Sequence, residues 1–203
     1  IAIASASINS GLAPLEVSFT GELSRDPDIG DNLSYSWDFD NDGNEDANTA
    51  NASYTYTENG NFLAILTVTD NDGESAIAQI EIIVGNSAPV VTIIKPLNGG
   101  FYEDFDTIEY EIDVVDAEQG TLGDGINCND VVSEPSIGHD DHSHGTGPRN
   151  GCKGNFEAET HGEGPDNVFY ILNANFEDDG AGLGTPLRGS DVVILNLKRK
   201  QGQ

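Results

Sequence analysis

Hydrophobic and polar residues alternate along several short stretches of the first half of the chain, as expected for β-strands with one buried face. The clearest stretch runs from Leu63 to Thr69, where alternate residues define two faces. Asp-Pro, Asn-Gly and Asn-Asp-Gly sequences separate the stretches and favour tight turns. The pattern predicts an all-β sandwich. Its strands are predicted at Leu15–Phe19, Ser34–Phe39, Ala52–Thr57, Phe62–Thr69 and Ala76–Val84.

The second half is also rich in β-forming residues, but a much longer polar segment interrupts its strands. Residues from Glu118 to about Gly164 are dominated by Gly, Asp and His, and this composition predicts a loop. A loop of such length inside a compact domain normally has a function or is held by a cross-link. Strands are predicted on either side of it, at Val90–Ile94, Ile108–Asp116, Val168–Phe176 and Asp191–Leu197.

Small and turn-forming residues between Val84 and Pro89 separate the two β-rich regions, as in a short linker between domains. We therefore predict two domains, residues 1–87 and residues 88–203. The expected fold class is all-β, with two tandem β-sandwich modules, the second of which carries the long loop.

The charge of the chain narrows its possible partners. The 203 residues include 36 Asp and Glu against 8 Lys and Arg, a formal net charge of −28. Nucleic acid is excluded as a partner because phosphate binding requires basic patches, and so is an anionic membrane surface. No apolar run approaches the roughly 20 residues of a transmembrane helix.

Two cysteines, Cys128 and Cys152, lie inside or at the edge of the polar segment. An even count in an acidic, Gly-rich chain of secreted appearance predicts one disulfide. The alternative is a pair of free thiols in a cytosolic protein. A disulfide here would brace the long loop and stabilise the fold by about 3 kcal/mol.

All four histidines of the chain also lie in the polar segment. His139, His142 and His144 share one short string, and His161 follows. With a further carboxylate such as Asp141, they form a feasible ligand set for Zn²⁺ or Cu²⁺. A Ca²⁺ site of mixed ligands and a solvated polar loop without metal are the alternatives. No His-Glu-x-x-His helix is present, so a structural role is favoured over catalysis.

A second group of candidate metal ligands follows the predicted strand that contains Trp37. Alternating oxygen side chains with a Gly turn match the first half of a calcium loop. Position twelve is Thr49 and not Glu, which excludes an EF-hand. Asx turns explain the same pattern equally well, and Asp116 with Glu118 forms a weaker candidate. The candidate Ca²⁺ ligands are Asp38, Asp40, Asp42, Asn44 and Asp46.

Aromatic residues offer little sign of a sugar-binding platform. Trp37 is the only Trp. Phe101, Tyr102 and Phe105 are clustered and form either an exposed face or part of the core. We favour core packing.

Together the first-half motifs resemble a PKD domain over about residues 1–87. The resemblance implies an immunoglobulin-like β-sandwich, found mostly in extracellular proteins as a spacer or adhesive module beside catalytic domains. It also implies that Trp37 lies in the core and leaves no exposed Trp for sugar stacking. The motifs that carry it are Pro14-Leu15 with Phe19, Tyr35–Phe39, Tyr54–Tyr56 and Leu66–Gly73.

The second half resembles an accessory domain that often follows PKD domains in secreted bacterial proteins with a PQQ-type, glucose/sorbosone dehydrogenase-like propeller or a trehalose-utilisation-type domain. The resemblance covers about residues 89–200 and implies a secreted module attached to carbohydrate-active machinery. It rests on Cys128, the string Gly138–His144, Gly151–Gly154, His161, Ala174–Phe176 with Asp178, and Leu187–Leu195.

These observations predict an extracellular, non-catalytic accessory or spacer region of a carbohydrate-active or oxidative protein, with loops stabilised by metal ions. Its expected partners are other domains of the same polypeptide or complex, a polysaccharide, and copies of itself. Two alternatives remain open at this point. One is a carbohydrate-binding module, and the other is a structural or adhesive surface protein, such as an array subunit.

Overall fold

The computed structural model describes residues 1–27, 32–139, 142–158 and 168–198, with only the backbone given for His142. The described residues form strands and two single-turn 3₁₀ helices, Cys128–Asp130 and Gly180–Gly182. The predicted all-β fold class is confirmed. The chain divides into two compact units. Unit 1 comprises Ile1–Ser87 with Ala181–Thr185, and unit 2 comprises Ala88–Gly180 with Pro186–Gln203.

Unit 1 is a sandwich of two sheets. One sheet has the strand order β1-β3-β5 and the other the order β2-β7-β6-β4. All pairs are antiparallel except β2 and β7, which run parallel. The strands are β1 (Ser5–Ala6), β2 (Ser10–Gly11), β3 (Leu15–Thr20), β4 (Ser34–Asp38), β5 (Asn51–Tyr56), β6 (Gly60–Thr69) and β7 (Ser75–Val84).

The core of unit 1 follows the alternation of the sequence. In β3 every second residue is buried, and in β6 the face of Ala64, Leu66 and Val68 is buried. The aromatic centre places the ring of Phe19 5.4 Å from that of Trp37 and 4.6 Å from that of Phe39. Trp37 is 0% exposed, and its Nε1 donates to the carbonyl of Thr49 at 3.1 Å. The assignment of Trp37 to the core is therefore confirmed.

Unit 2 has a five-stranded and a six-stranded sheet. In the first, β10 pairs with β8, β11 and β16, and β12 pairs with β11. The second has the order β14-β13-β17-β18-β9, with β15 paired to β13. The strands are β8 (Val90–Lys95), β9 (Phe101–Tyr102), β10 (Thr107–Asp116), β11 (Gly120–Leu122), β12 (Gly125–Ile126), β13 (Val132–His139), β14 (His142–Gly145), β15 (Arg149–Asn150), β16 (Lys153–Glu157), β17 (Val168–Glu177) and β18 (Arg188–Leu197).

The polar segment from Glu118 to about Gly164 was expected to be a loop, and that expectation is wrong for its described part. It supplies six strands, and one of them, β13, lies between β14 and β17 inside the six-stranded sheet. The predicted disulfide is confirmed. Cys128 and Cys152 are bonded, with their Cα atoms 5.0 Å apart, and the bond connects the 3₁₀ turn to the residue preceding β16. It braces a folded segment and not a long loop.

Buried apolar side chains from both sheets form the core of unit 2. The aromatic contacts are centred on Tyr170, whose ring lies 5.1 Å from that of Tyr102 and 5.5 Å from that of Phe156. Among the described residues, no helix is long and apolar enough to cross a membrane.

Candidate functional site

Three of the predicted calcium ligands meet at the end of β4. Each of Asp38, Asp40 and Asp42 offers a carboxylate oxygen, and these oxygens all lie within 4.8 Å of one another. Asp38 is half-buried, whereas the other two are exposed. Within the described parts of the chain this is the one group of three or more His, Cys, Asp or Glu side chains close enough to share a metal ion.

Hydrogen bonds hold all three carboxylates in place. Asp40 accepts the N–H of Asp42 at 3.3 Å and the hydroxyl of Tyr54 at 3.4 Å. Asp38 accepts from the N–H groups of Asp42 at 3.2 Å and Gly43 at 2.9 Å. Asp42 accepts from the side-chain amide of Asn44 at 2.9 Å and from its backbone N–H at 2.8 Å. These two donors lower the pKa of Asp42. Positive φ angles at Asn41 (56°) and Gly43 (87°) close the turn.

The other two predicted ligands have different roles. Asn44 directs its amide to Asp42, and Asp46 accepts the N–H of Phe39 at 2.7 Å. Asx-type hydrogen bonds thus account for much of the acidic pattern. Every carboxylate oxygen of Asp38, Asp40 and Asp42 accepts one hydrogen bond, so a cation at this turn would bind the second lone pairs of these oxygens.

Two of the four histidines meet on the hairpin of β13 and β14. The register pairs His139 with His142 and Ile137 with His144. The rings of His139 and His144 have centres 5.4 Å apart. A zinc ion about 2.0–2.1 Å from each ligating nitrogen would hold two such rings at roughly this separation. His161, Asp141 and the His142 side chain lie outside the described residues.

The aromatic cluster of unit 2 is only partly buried. Tyr102 is 3% exposed, but Phe101 is 72% and Phe105 66% exposed, so the expected core packing is wrong for both phenylalanines. Phe105 also has a φ of 67°, a backbone conformation that bulky L-residues rarely adopt. Because the ring of Phe105 is exposed, core packing does not compensate for the cost of this backbone conformation.

Phe101 lines a shallow cleft of about 430 Å³ with Tyr102, Glu103, Asp106 and Lys198. Lys198 Nζ lies 2.8 Å from Glu103 Oε1, and this contact raises the pKa of Lys198. Asp106 Oδ2 accepts the N–H of Glu103 at 2.7 Å. The cleft therefore combines an exposed aromatic face with carboxylates and an ammonium group. The sequence gives no local sign of it, because Glu103 and Lys198 are far apart along the chain.

Comparison with known proteins assigns a family to unit 1. The sequence model of the PKD domain matches residues 3–84. The solved PKD1 domain of the Vibrio cholerae metalloprotease PrtV is 32% identical, with 41% of this chain and 93% of that one covered and a TM-score of 0.33. No curated protein matches the chain.

Two solved structures are similar to nearly the whole chain at low identity. The fibronectin(III)-like modules of Clostridium thermocellum CbhA are 11% identical, with 97% of this chain and 94% of that one covered and a TM-score of 0.40. A carbohydrate-binding module of the β-sandwich superfamily is 14% identical, with 98% and 92% covered and a TM-score of 0.37.

Proposed function

We propose that this chain, whose residues 3–84 belong to the PKD domain family, is a non-catalytic accessory region of an extracellular protein. The family match of unit 1 is the observation that carries the proposal. PKD domains occur in extracellular bacterial proteins, and β-sandwiches of this kind are generally not catalytic. We further propose that the chain positions or attaches a carbohydrate-active or oxidative assembly.

The test is whether the isolated chain turns polysaccharide over. The chain is incubated with a panel of soluble and insoluble polysaccharides. Released reducing ends and the reduction of an electron-acceptor dye are then measured. We expect neither signal to exceed the buffer control. Turnover that follows the protein through an orthogonal purification step would overturn the proposal.

We further propose that cations stabilise the β4 turn, because three carboxylates there repel one another until a positive charge binds between them. A ligand that binds only the folded state raises its stability. Millimolar CaCl₂ is expected to raise the Tm of chelator-treated protein more than NaCl of equal ionic strength. The variant Asp40→Asn/Asp42→Asn should show a smaller difference than the parent, whereas Glu81→Gln, which removes one charge from β7, should retain all of it. An equal response of both variants would contradict this role.

We propose that the hairpin of β13 and β14 binds Zn²⁺ or Cu²⁺, because the ring centres of His139 and His144 are 5.4 Å apart. Elemental analysis of undialysed protein should find about one such ion per chain, the ratio expected for a single site. The variant His139→Ala/His144→Ala should lose it. Absence of both metals after growth in metal-supplemented medium would leave these rings as an ordinary surface pair.

A second candidate function, polysaccharide binding, is favoured by the exposed Phe101 in its charged cleft. The apolar face of a sugar ring packs against an aromatic ring while its hydroxyl groups bond to carboxylate and ammonium groups. Affinity electrophoresis through polysaccharide-containing gels should retard the parent chain. Phe101→Ala should abolish the retardation, whereas Ile77→Ala, which removes a side chain of similar exposure from β7, should not. Unchanged retardation of Phe101→Ala would exclude the cleft.

A further inference from the structure

A carboxylate occupies a core-facing position at the end of β10. The inward side chains of this strand are those of every second residue, Ile108, Tyr110, Ile112 and Val114, and the next in the series is Asp116. Asp116 is 3% exposed. Burial of a charged group on a hydrophobic face is costly unless partners compensate for the lost hydration.

Within the described part of the chain, only one oxygen of this carboxylate has hydrogen-bond partners. Asp116 Oδ1 accepts the N–H groups of Glu118 at 3.0 Å and Gln119 at 2.6 Å. Its Oδ2 is buried and accepts no hydrogen bond from any residue that the structure describes. The two backbone bonds fix the carboxylate, so Oδ2 cannot turn toward solvent without breaking them.

The side chain that follows in the turn repeats the same feature. Gln119 Oε1 is also buried and receives no donor from the described parts of the chain. Two acceptor oxygens of one short turn, Asp116 Oδ2 and Gln119 Oε1, are thus removed from water without a donor. Buried acceptors in native proteins are nearly always satisfied by protein, water or an ion.

The chemistry of these atoms selects a hard cation. A carboxylate oxygen and an amide oxygen are ligands that Ca²⁺ prefers, and neither carries a proton to give to the other. The nearby acidic residues Glu118 and Asp124 add to the negative potential. We propose that Asp116 Oδ2 and Gln119 Oε1 bind a Ca²⁺ ion at the end of β10.

Glycine residues close the turn that follows Asp116 and Gln119. Gly120 and Gly125 have φ angles of 103° and 94°, and a Cβ at Gly125 would overlap the carbonyl oxygen of Gln119. Gly120 begins β11 and Gly125 begins β12, and these two strands pair in parallel. The site is independent of the β4 turn, because that turn belongs to unit 1 and Asp116 to unit 2.

Calcium binding at Asp116 is tested in a background that lacks the β4 cluster. The full-length variant Asp38→Asn/Asp40→Asn/Asp42→Asn is stripped with chelator and titrated with CaCl₂ by calorimetry. We expect it to retain one Ca²⁺ per chain. Adding Asp116→Asn should weaken that affinity by about tenfold or more, since ligand charge sets Ca²⁺ affinity. The control Glu109→Gln, on the outward face of the same strand, should leave it unchanged.

A second substitution separates a cation from a water molecule or a side-chain hydrogen bond. Gln119→Glu adds a negative ligand, so it should tighten Ca²⁺ binding and make the Tm more dependent on Ca²⁺. If the two oxygens share water, the added charge lowers the Tm and Ca²⁺ does not restore it. That result, or a background variant that binds no Ca²⁺, would overturn the site. If the parent and the background variant bind the same number of Ca²⁺ ions, the β4 turn binds none, and the proposed role of that turn fails while the Asp116 site stands.

Discussion

Two buried tyrosines of this chain differ in one hydrogen bond. Tyr56 in unit 1 is 2% exposed, and its hydroxyl donates to the carbonyl of Phe39 at 2.9 Å. Tyr102 in unit 2 is 3% exposed, and its buried hydroxyl has no hydrogen-bond partner among the described residues. A satisfied hydroxyl contributes to stability, whereas an unsatisfied one lowers it.

The same substitution should therefore have opposite effects at these positions. Tyr56→Phe should lower the free energy of unfolding by about 1 kcal/mol, because it leaves a buried carbonyl without its donor. Tyr102→Phe should leave it unchanged or raise it by up to about 1 kcal/mol. Urea unfolding at neutral pH measures both. A loss at Tyr102 as large as that at Tyr56 would show that its hydroxyl has a bound partner.

The raised pKa of Tyr102 predicts that the stability of the fold decreases at alkaline pH. Burial, followed by the neighbouring Tyr170 and Asp104, raises its pKa from 10.0 to about 12. The folded state therefore holds this proton more tightly than the unfolded chain. The resulting stability is complete below pH 10 and is lost as pH rises toward about 12. Tyr102→Phe should lose less stability than the parent over this range, as Tm measured at each pH will show. An identical alkaline decline in both proteins would contradict the assignment.

At this scale, the sequence reveals only sites whose residues are neighbours in the chain. Asp38, Asp40 and Asp42 alternate in one turn, so their meeting is predictable. The cleft of Phe101 is not, because Lys198 reaches it only through the parallel pairing of β9 with β18. The burial of Asp116 is visible only once the register of β10 is known.

The sequence predicts those strands that bury one face, because their hydrophobic and polar residues alternate. It does not predict strands that form through tertiary pairing despite an unfavourable composition. The five strands predicted in unit 1 and four in unit 2 correspond to observed strands. The strand β13 was missed because Pro135, Ser136 and Gly138 are poor strand formers, and Pro is rare inside sheets. Here Pro135 pairs with Leu172 of β17, and its carbonyl accepts the N–H of Thr146 at 2.9 Å. Pairing on both sides outweighs the local preference.

The disulfide should contribute strongly to the stability of unit 2. It closes a loop with a sequence separation of 24, and the double variant Cys128→Ala/Cys152→Ala should lose about 3 kcal/mol. Denaturant unfolding followed by tyrosine fluorescence and circular dichroism measures the loss. Reducing agent should produce a similar loss in the parent and none in the variant. A stability loss below about 1 kcal/mol would mean that the unfolded chain gains little freedom from the missing cross-link.

Two glycines of the β11–β12 turn form a matched pair. Gly123 and Gly125 have similar positive φ angles of 83° and 94°. A Cβ at Gly123 meets nothing within 4 Å, whereas a Cβ at Gly125 overlaps Gln119. Gly123→Ala should cost about 1–2 kcal/mol from backbone strain alone. Gly125→Ala should cost about 2 kcal/mol more, because the turn must open. Thermal unfolding compares them, and equal losses would contradict the overlap.

The net charge of the whole molecule, −28, opposes its compact state through self-repulsion. Added monovalent salt screens that repulsion within a Debye length of about 10 Å at 0.1 M. The Tm should therefore rise with NaCl at low ionic strength and then level off, and choline chloride should act equally. A Tm that falls or stays constant over the same range would show that the acidic groups are already neutralised by bound cations.

The parallel pairing of β2 with β7 determines how unit 1 resists a pulling force. Ser10 and Gly11, near the start of the unit, pair with Ile83 and Val84 near its end, and the N–H of Gly85 donates to the carbonyl of Gly11 at 2.8 Å. Tension that enters before β2 and leaves after β7 draws these strands past each other lengthwise. The hydrogen bonds between them then bear the load together and do not open one by one. A module built this way transmits tension along its chain before it yields.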